Sequence, residues 1–188
     1  IETCLNVRAG ERVAILADTP NAFIGEWLAA AVTDAGGIPK VALFPPRTSH
    51  GENPPEAAAN TLLTAHAAVL VPTFSLASSQ ARRDATAAGV RIITIPACSE
   101  AVFASPAMTI GFERMAPLVR RLGAMLTAAK EVRISSDAGT DLRITLCGRK
   151  SVDQTGLSRG RGEWSPLPNI ETAVGPADCG VNGVFAAD

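Results

Sequence analysis

Short apolar runs alternate along this chain with longer segments of helical period. Arg12-Val13-Ala14-Ile15-Leu16-Ala17 is nearly all apolar with two β-branched residues, which predicts a strand buried on both faces. Asp18-Thr19-Pro20-Asn21 punctuates it, and residues 22–35 then set Phe23, Leu28, Ala31 and Val32 at helical spacing. Asn21 is a fair N-cap for that helix and Gly36-Gly37 a stop. The alternation continues with a strand over 38–44 ended by Pro45-Pro46, a loop over 47–55 and a helix over 56–65. A strand over 67–71, a helix over 75–88 ended by Gly89, and a strand over 90–95 closed by Pro96 complete it.

Strands alternating with helices through short loops predict an α/β fold: a parallel, Rossmann-like sheet with helices on both faces and right-handed crossovers. Ligands in such sheets sit beyond the carboxyl ends of the strands, so the candidate loops are 18–21, 45–54, 72–75 and 96–99. Residues 112–130 then read as a long amphipathic helix with Met115, Leu118, Val119, Leu122, Met125 and Leu126 on its apolar side. Pro117 is expected to delay its first regular turn. Beyond it the pattern becomes strand-rich, with runs at 132–135, 143–146 and 181–185 separated by turns. The expected organisation is an α/β domain over 1–107, a bridging helix over 108–130, and over 131–188 the beginning of an incomplete, strand-rich α+β domain.

Composition narrows the function classes. The chain has 188 residues, a net charge of −1 and interleaved charges, so no basic field is present to attract nucleic acid. Aromatic residues make up 4% and Tyr is absent, which argues against a base-stacking platform. No apolar stretch approaches a bilayer-spanning length, and a cytoplasmic protein is expected. Cys4, Cys98, Cys147 and Cys179 form no C-x-x-C pair and read as scattered thiols.

The first strand is followed by neither a G-x-G-x-x-G nor a Walker loop, so a nucleotide site is not supported. Arg159-Gly160-Arg161-Gly162 reads as a solvated loop. His50 in the Pro-rich loop and His66 before the third strand share no helix face, and with Glu52 they fall short of a ligand set. Thr73 and Ser75 follow the third strand, where their hydroxyls either cap the next helix or line a cleft for an anionic group at its N-terminus. Ser75 lies outside any G-x-S-x-G context, which disfavours a hydrolase nucleophile. Glu171 sits in an expected turn and needs partners to act as a metal ligand or proton carrier.

Taken in order, Gly10-Glu11-Arg12-Val13, Thr73-x-Ser75-Leu76 with Ala81-Arg82, Gly139-Thr140-Asp141-Leu142, Gly148-Arg149, Leu167-Pro168-Asn169-Ile170-Glu171 and Asn182-Gly183 resemble a known superfamily. It contains the aminopeptidase T metallopeptidases and the 2,5-dihydroxypyridine 5,6-dioxygenases. The resemblance implies a two-domain, oligomeric enzyme longer than this chain, with the metal in the second domain. It implies substrate contacts at Thr73, Ser75 and Arg82, and a catalytic Glu171. In the peptidases Glu171 matches a metal ligand, and the other ligands are expected beyond Asp188. Relatives carry His-Thr after the Ser-Leu pair where this chain has Ser78-Ser79, which implies loss of a substrate-contacting imidazole there. The opening, residues 4–11, is more similar to the dioxygenase side.

Three readings follow. In the first, Fe(II) supports ring cleavage of a hydroxylated N-heteroaromatic, a small-molecule substrate, in a homo-oligomer. In the second, a paired Zn or Co site activates water for aminopeptidase chemistry, with Glu171 a ligand. In the third, a non-catalytic homologue binds a small molecule or acts as a scaffold.

Overall fold

The computed structural model of the chain describes residues 1–178 and 180–186; Cys179 lies outside them. In order, the elements are α1 (Glu2–Leu5), β1 (Arg12–Asp18), α2 (Ala22–Asp34), β2 (Ile38–Phe44), α3 (Glu56–Leu63), β3 (Ala67–Leu70), α4 (Gln80–Ala88) and β4 (Arg91–Thr94). They continue with α5 (Glu100–Phe103), α6 (Phe112–Ala128), β5 (Glu131–Ser135), β6 (Asp141–Thr145), β7 (Val152–Gln154), β8 (Trp164–Pro166), β9 (Glu171–Ala173) and β10 (Val181–Val184).

Five parallel strands form one sheet in the order β2-β1-β3-β4-β8. The period of two along each strand divides its apolar residues between two cores. Val13, Ile15, Ala17, Val69, Ile93 and Ile95 face Ile24, Leu28 and Val32 of α2. Ala14, Leu16, Ala68, Leu70 and Ile92 face Ala58 and Leu62 of α3 and Ala85 of α4. Covering both faces is why the inner strands read as unbroken apolar runs. Gly25 allows α2 to approach the sheet closely, since a Cβ there would stand 3.3 Å from the Ala17 Cβ.

The amino edge of this sheet is tied by charge. Arg91 donates to both carboxylate oxygens of Glu11, at 3.0 and 2.6 Å, and its Nε donates to the Leu5 carbonyl at 3.2 Å. Glu11 also accepts the Arg8 N–H. The Arg91 hydrogen bonds hold the Glu11 carboxyl below the usual glutamate range.

Two compact units divide the chain: 1–113 with 156–170, and 114–155 with 171–188. The sequence-based boundary assigned all of 131–188 to the second domain, whereas 156–170 returns to the first unit and adds β8 beside β4. The cause is local pairing. Ser158 Oγ accepts the Ile92 N–H, and the Leu167 N–H donates to the Thr94 carbonyl at 2.7 Å. Trp-Ser-Pro carries no apolar run, and its proline is compatible only with an edge position. The Arg159–Gly162 segment is likewise more than a solvated loop. Glu163 accepts the N–H groups of Arg159 and Gly160, and Arg161 donates to the Ala88 carbonyl. The Arg161 guanidinium fills the space a Cβ would need at Gly89, whose φ is +99°.

In the second unit β10, β6 and β5 form an antiparallel sheet, and β7 pairs with β9. Helix α6 starts at Phe112 and runs through Pro117. Its expected single apolar side is two stripes: Val119 is buried, while Leu118, Leu122 and Met125 are exposed.

Candidate functional site

The sheet reverses its order of growth between β1 and β3: the chain leaves β1 for β2 on one side and returns to β3 on the other. In such folds the crevice beyond the carboxyl ends of those two strands is where ligands bind. Here it is bordered by Asp18, the last residue of β1, and by residues 71–79 after β3.

Two buried side chains fasten these loops. Asn21 Nδ2 donates to the carbonyls of Val71 and Cys98, both at 3.0 Å, joining the segments after β1, β3 and β4. Asp18 is wholly buried, and its Oδ2 accepts the Thr73 N–H at 2.8 Å. Asp18 Oδ1 has no hydrogen-bond partner among the described residues. Buried polar atoms are paired as a rule, so this oxygen marks a place where the crevice accommodates a donor. Burial, and secondarily the Asp18 charge, push the neighbouring Cys98 thiol up to about 11.

The loop after β2 closes onto the same turn. His50 Nδ1 accepts the Ser75 N–H at 3.0 Å, and the Gly51 N–H donates to the Ser75 carbonyl at 2.8 Å. The His50 and Phe74 rings meet edge to face with centroids 5.4 Å apart. Glu52 braces the loop from within. It pairs with Arg47 and accepts both the N–H and the hydroxyl of Thr48, and these Thr48 bonds hold its carboxyl below the ordinary range. His66, by contrast, is occupied at the far edge, where its Nδ1 accepts the Arg12 N–H.

Helix α4 begins at Gln80, not at Ser75 as the sequence pattern suggests. Ser79 is its N-cap, accepting the Arg82 N–H, and Asn53 Oδ1 accepts the Ala81 N–H. Those amides are therefore spent internally, and Ser75 Oγ is likewise occupied by the Ala77 N–H. The anion cleft expected at this helix start is not available. Among the described residues Thr73 Oγ1 and His50 Nε2 have no partner, nor do the buried Asp18 Oδ1 and, in the His50 loop, Arg47 Nε.

Arg82 lies at one side of the turn. Its guanidinium stacks 4.5 Å over Trp164, and its Nε donates to the Ala77 carbonyl at 2.8 Å. Glu171, expected in a turn, is the first residue of β9, exposed and in register with Gln154. Among the described residues no group of three or more His, Cys, Asp or Glu side chains is placed to hold a metal ion.

A separate cavity of about 300 Å³ opens on the α2 face, lined by Leu5, Leu28, Val69, Ile93, Phe103 and Phe112 among others. It is mostly apolar, and its one thiol, Cys4, is shifted up by burial.

The fold recurs in solved structures. The 2,5-dihydroxypyridine dioxygenase from Pseudomonas putida KT2440 superposes with a TM-score of 0.74 at 18% identity, over 91% of this chain and 52% of that one. Wild-type AmpT from Thermus thermophilus does so with a TM-score of 0.69 at 17% identity, over 97% of this chain and 61% of that one. At such identities these likenesses establish the shared fold, and this chain spans less than two thirds of either protein. None of the curated proteins compared with the chain matches it. Among the described residues no helix is long and apolar enough to cross a membrane. The sequence model of one family matches residues 1–187, nearly the whole chain, and the chain belongs to that family: NicX, 2,5-dihydroxypyridine 5,6-dioxygenase.

Proposed function

We propose that the protein takes part in metal-dependent oxidative ring cleavage of a hydroxylated N-heteroaromatic. The observation that carries this reading is the family match across residues 1–187. The crevice chemistry supports it. Thr73 Oγ1 and His50 Nε2 are groups of the kind that bind ring hydroxyl and oxo oxygens, and the nearby Arg47, Arg82 and Arg83 are engaged by Glu52 and by the Ala77 and Ser78 carbonyls.

In this reading Thr73 contacts the substrate and Ser75 shapes the turn. Arg82 acts through the Ala77 carbonyl, and Glu171 serves as a substrate or proton contact. The metal is Fe(II) in preference to Zn or Co, and it needs ligands other than those described. The reading includes a cytoplasmic homo-oligomer.

The structural likeness to AmpT over 97% of the chain favours a second reading, a metal-dependent aminopeptidase in which Glu171 is a ligand. One experiment separates the two. The protein is reconstituted anaerobically with Fe(II) and, in parallel, with Zn or Co. It is then assayed for O₂ uptake on 2,5-dihydroxypyridine and for release of N-terminal amino acids from short peptides. O₂ uptake with ring cleavage is expected. Amino-acid release without O₂ uptake would overturn the dioxygenase reading. Inactivity in both assays, with no metal retained, would favour a non-catalytic homologue.

A further inference from the structure

We infer that His50 is a ligand-facing hydrogen-bond donor of the crevice, presenting its Nε2–H to an oxygen of the bound ring. The inference deepens the proposed function and rests on it. Its starting point is a tautomer. A neutral imidazole has one donor nitrogen and one acceptor. Nδ1 accepts the Ser75 N–H at 3.0 Å, so the proton of the neutral ring resides on Nε2. Nε2 has no partner among the described residues, and the side chain is exposed.

The ring is also held in place. The loop that carries it follows β2 at the carboxyl end of the sheet and is seated on the turn after β3 by the Gly51–Ser75 bond. Gly51 has φ +83°, a backbone that an L side chain would strain, and a Cβ there would fall 2.6 Å from Ser78 Oγ. Phe74 meets the imidazole edge to face. The Glu52 contacts with Arg47 and Thr48 fix the other end of the loop.

The surroundings select the ligand atom. The turn amides of Thr73 and Ser75 are already spent, on Asp18 and on His50 itself. The carboxylate of Asp18 opposes an anion at the turn. A rigid neutral N–H in this position suits the hydroxyl or oxo oxygen of a heteroaromatic ring, in a geometry that a flexible lysine would not hold.

A purely structural role, in which His50 only caps the Ser75 N–H, makes a different prediction, and His50→Asn tells the two apart. The asparagine Oδ1 occupies the position of Nδ1 and retains the Ser75 bond, while the far donor is lost. Anaerobic calorimetry with 2,5-dihydroxypyridine is run on the wild-type and H50N proteins. In parallel, the wild-type imidazole ¹⁵N resonances are followed as the ligand is added. The expected result is a Kd raised about fivefold in H50N, the usual scale for one neutral hydrogen bond. The melting temperature and Ser75 amide resonance stay unchanged, and the wild-type His50 Nε2 signal shifts on binding. Equal affinity in the two proteins with an unmoved Nε2 resonance would overturn the role of His50 and leave the proposed function intact. Absence of binding to the wild-type protein would overturn both.

Discussion

Replacing Glu11 by Gln probes how the amino edge of the sheet is held. In the wild type the Glu11 carboxylate takes two bonds from Arg91 and one from the Arg8 N–H, and both charged side chains are largely buried, at 17% and 12% exposure. Glutamine keeps the size but presents one acceptor and a amide group that abuts the guanidinium. Arg91 is left with the Leu5 carbonyl and an uncompensated charge in a poorly solvated position. Breaking one side of such a pair costs about 3 kcal/mol, the lower end of the range for buried pairs because some solvent reaches this one. For a chain of this size that corresponds to a melting temperature lower by roughly 6–12 °C. The pH dependence follows from the depressed Glu11 carboxyl. Its contribution is present above the ordinary glutamate value of 4.5 and is lost as pH falls through the lower folded value. Thermal scans of wild type and E11Q should therefore differ fully at pH 7 and converge only as pH falls through the lowered folded value of Glu11. Replacing both partners by apolar residues, Glu11→Leu with Arg91→Met, should recover much of the loss. A difference under 2 °C at pH 7, or a gap that persists unchanged into acid, would refute the reasoning.

Asp18→Asn keeps an acceptor for the Thr73 N–H and removes a buried charge, so its stability in urea should equal or exceed that of the wild type. Asp18→Ala strands that N–H and should cost about 1–3 kcal/mol; equal losses in the two variants would contradict the assigned contact. Iodoacetamide at pH 8 with peptide mapping should label exposed Cys147 well before buried Cys98, and D18N should speed labelling of Cys98 by removing the neighbouring charge that holds its thiol up. Arg82→Ala should lower stability by about 1–2 kcal/mol through loss of the Trp164 stacking and the Ala77 bond; an unchanged urea midpoint would return Arg82 to a solvent-facing role. Because the first amides of α4 are occupied, 10 mM inorganic phosphate should leave the melting temperature unchanged, and a rise would show an anion site at that helix start.

Much of the sheet was legible because its inner strands are buried on both faces. Runs such as Val13 to Ala17 and Ile92 to Ile95 have no other way to satisfy themselves. Element ends were less legible wherever two signals competed. The sequence pattern starts the helix at Ser75, whereas the N-cap is Ser79, four residues later. Contacts distant in sequence, Asp18 to Thr73 and His50 to Ser75, hold this stretch as a turn before the helix begins. β8 was invisible for a related reason: a three-residue edge strand containing Pro and Ser carries no pattern and exists only because β4 offers it an edge.

His50 shows how the candidate site escaped a reading based on spacing. As one of two histidines that share no helix face, and with Glu52 alone beside it, it fell short of a ligand set. The fold gives it a partner by stacking β2 and β3 on either side of β1, which carries the ends of their following loops to the same crevice. Motif reasoning detects groups that share a helix face or a turn. A site assembled at a topological switch draws its groups from loops separated by whole βα units, here about 25 residues from His50 to Ser75. The same geometry turns the expected anion cleft into a neutral one, because each loop arrives carrying an acceptor: Asp18 from β1, His50 from β2 and Asn53 just beyond it. Acceptors that converge on these backbone amides leave few N–H groups for an anion, and a hydroxyl and an imidazole N–H remain beside the Asp18 carboxylate. That balance favours an uncharged, hydroxylated ring over a phosphate or carboxylate, and it follows from the strand order rather than from any single motif.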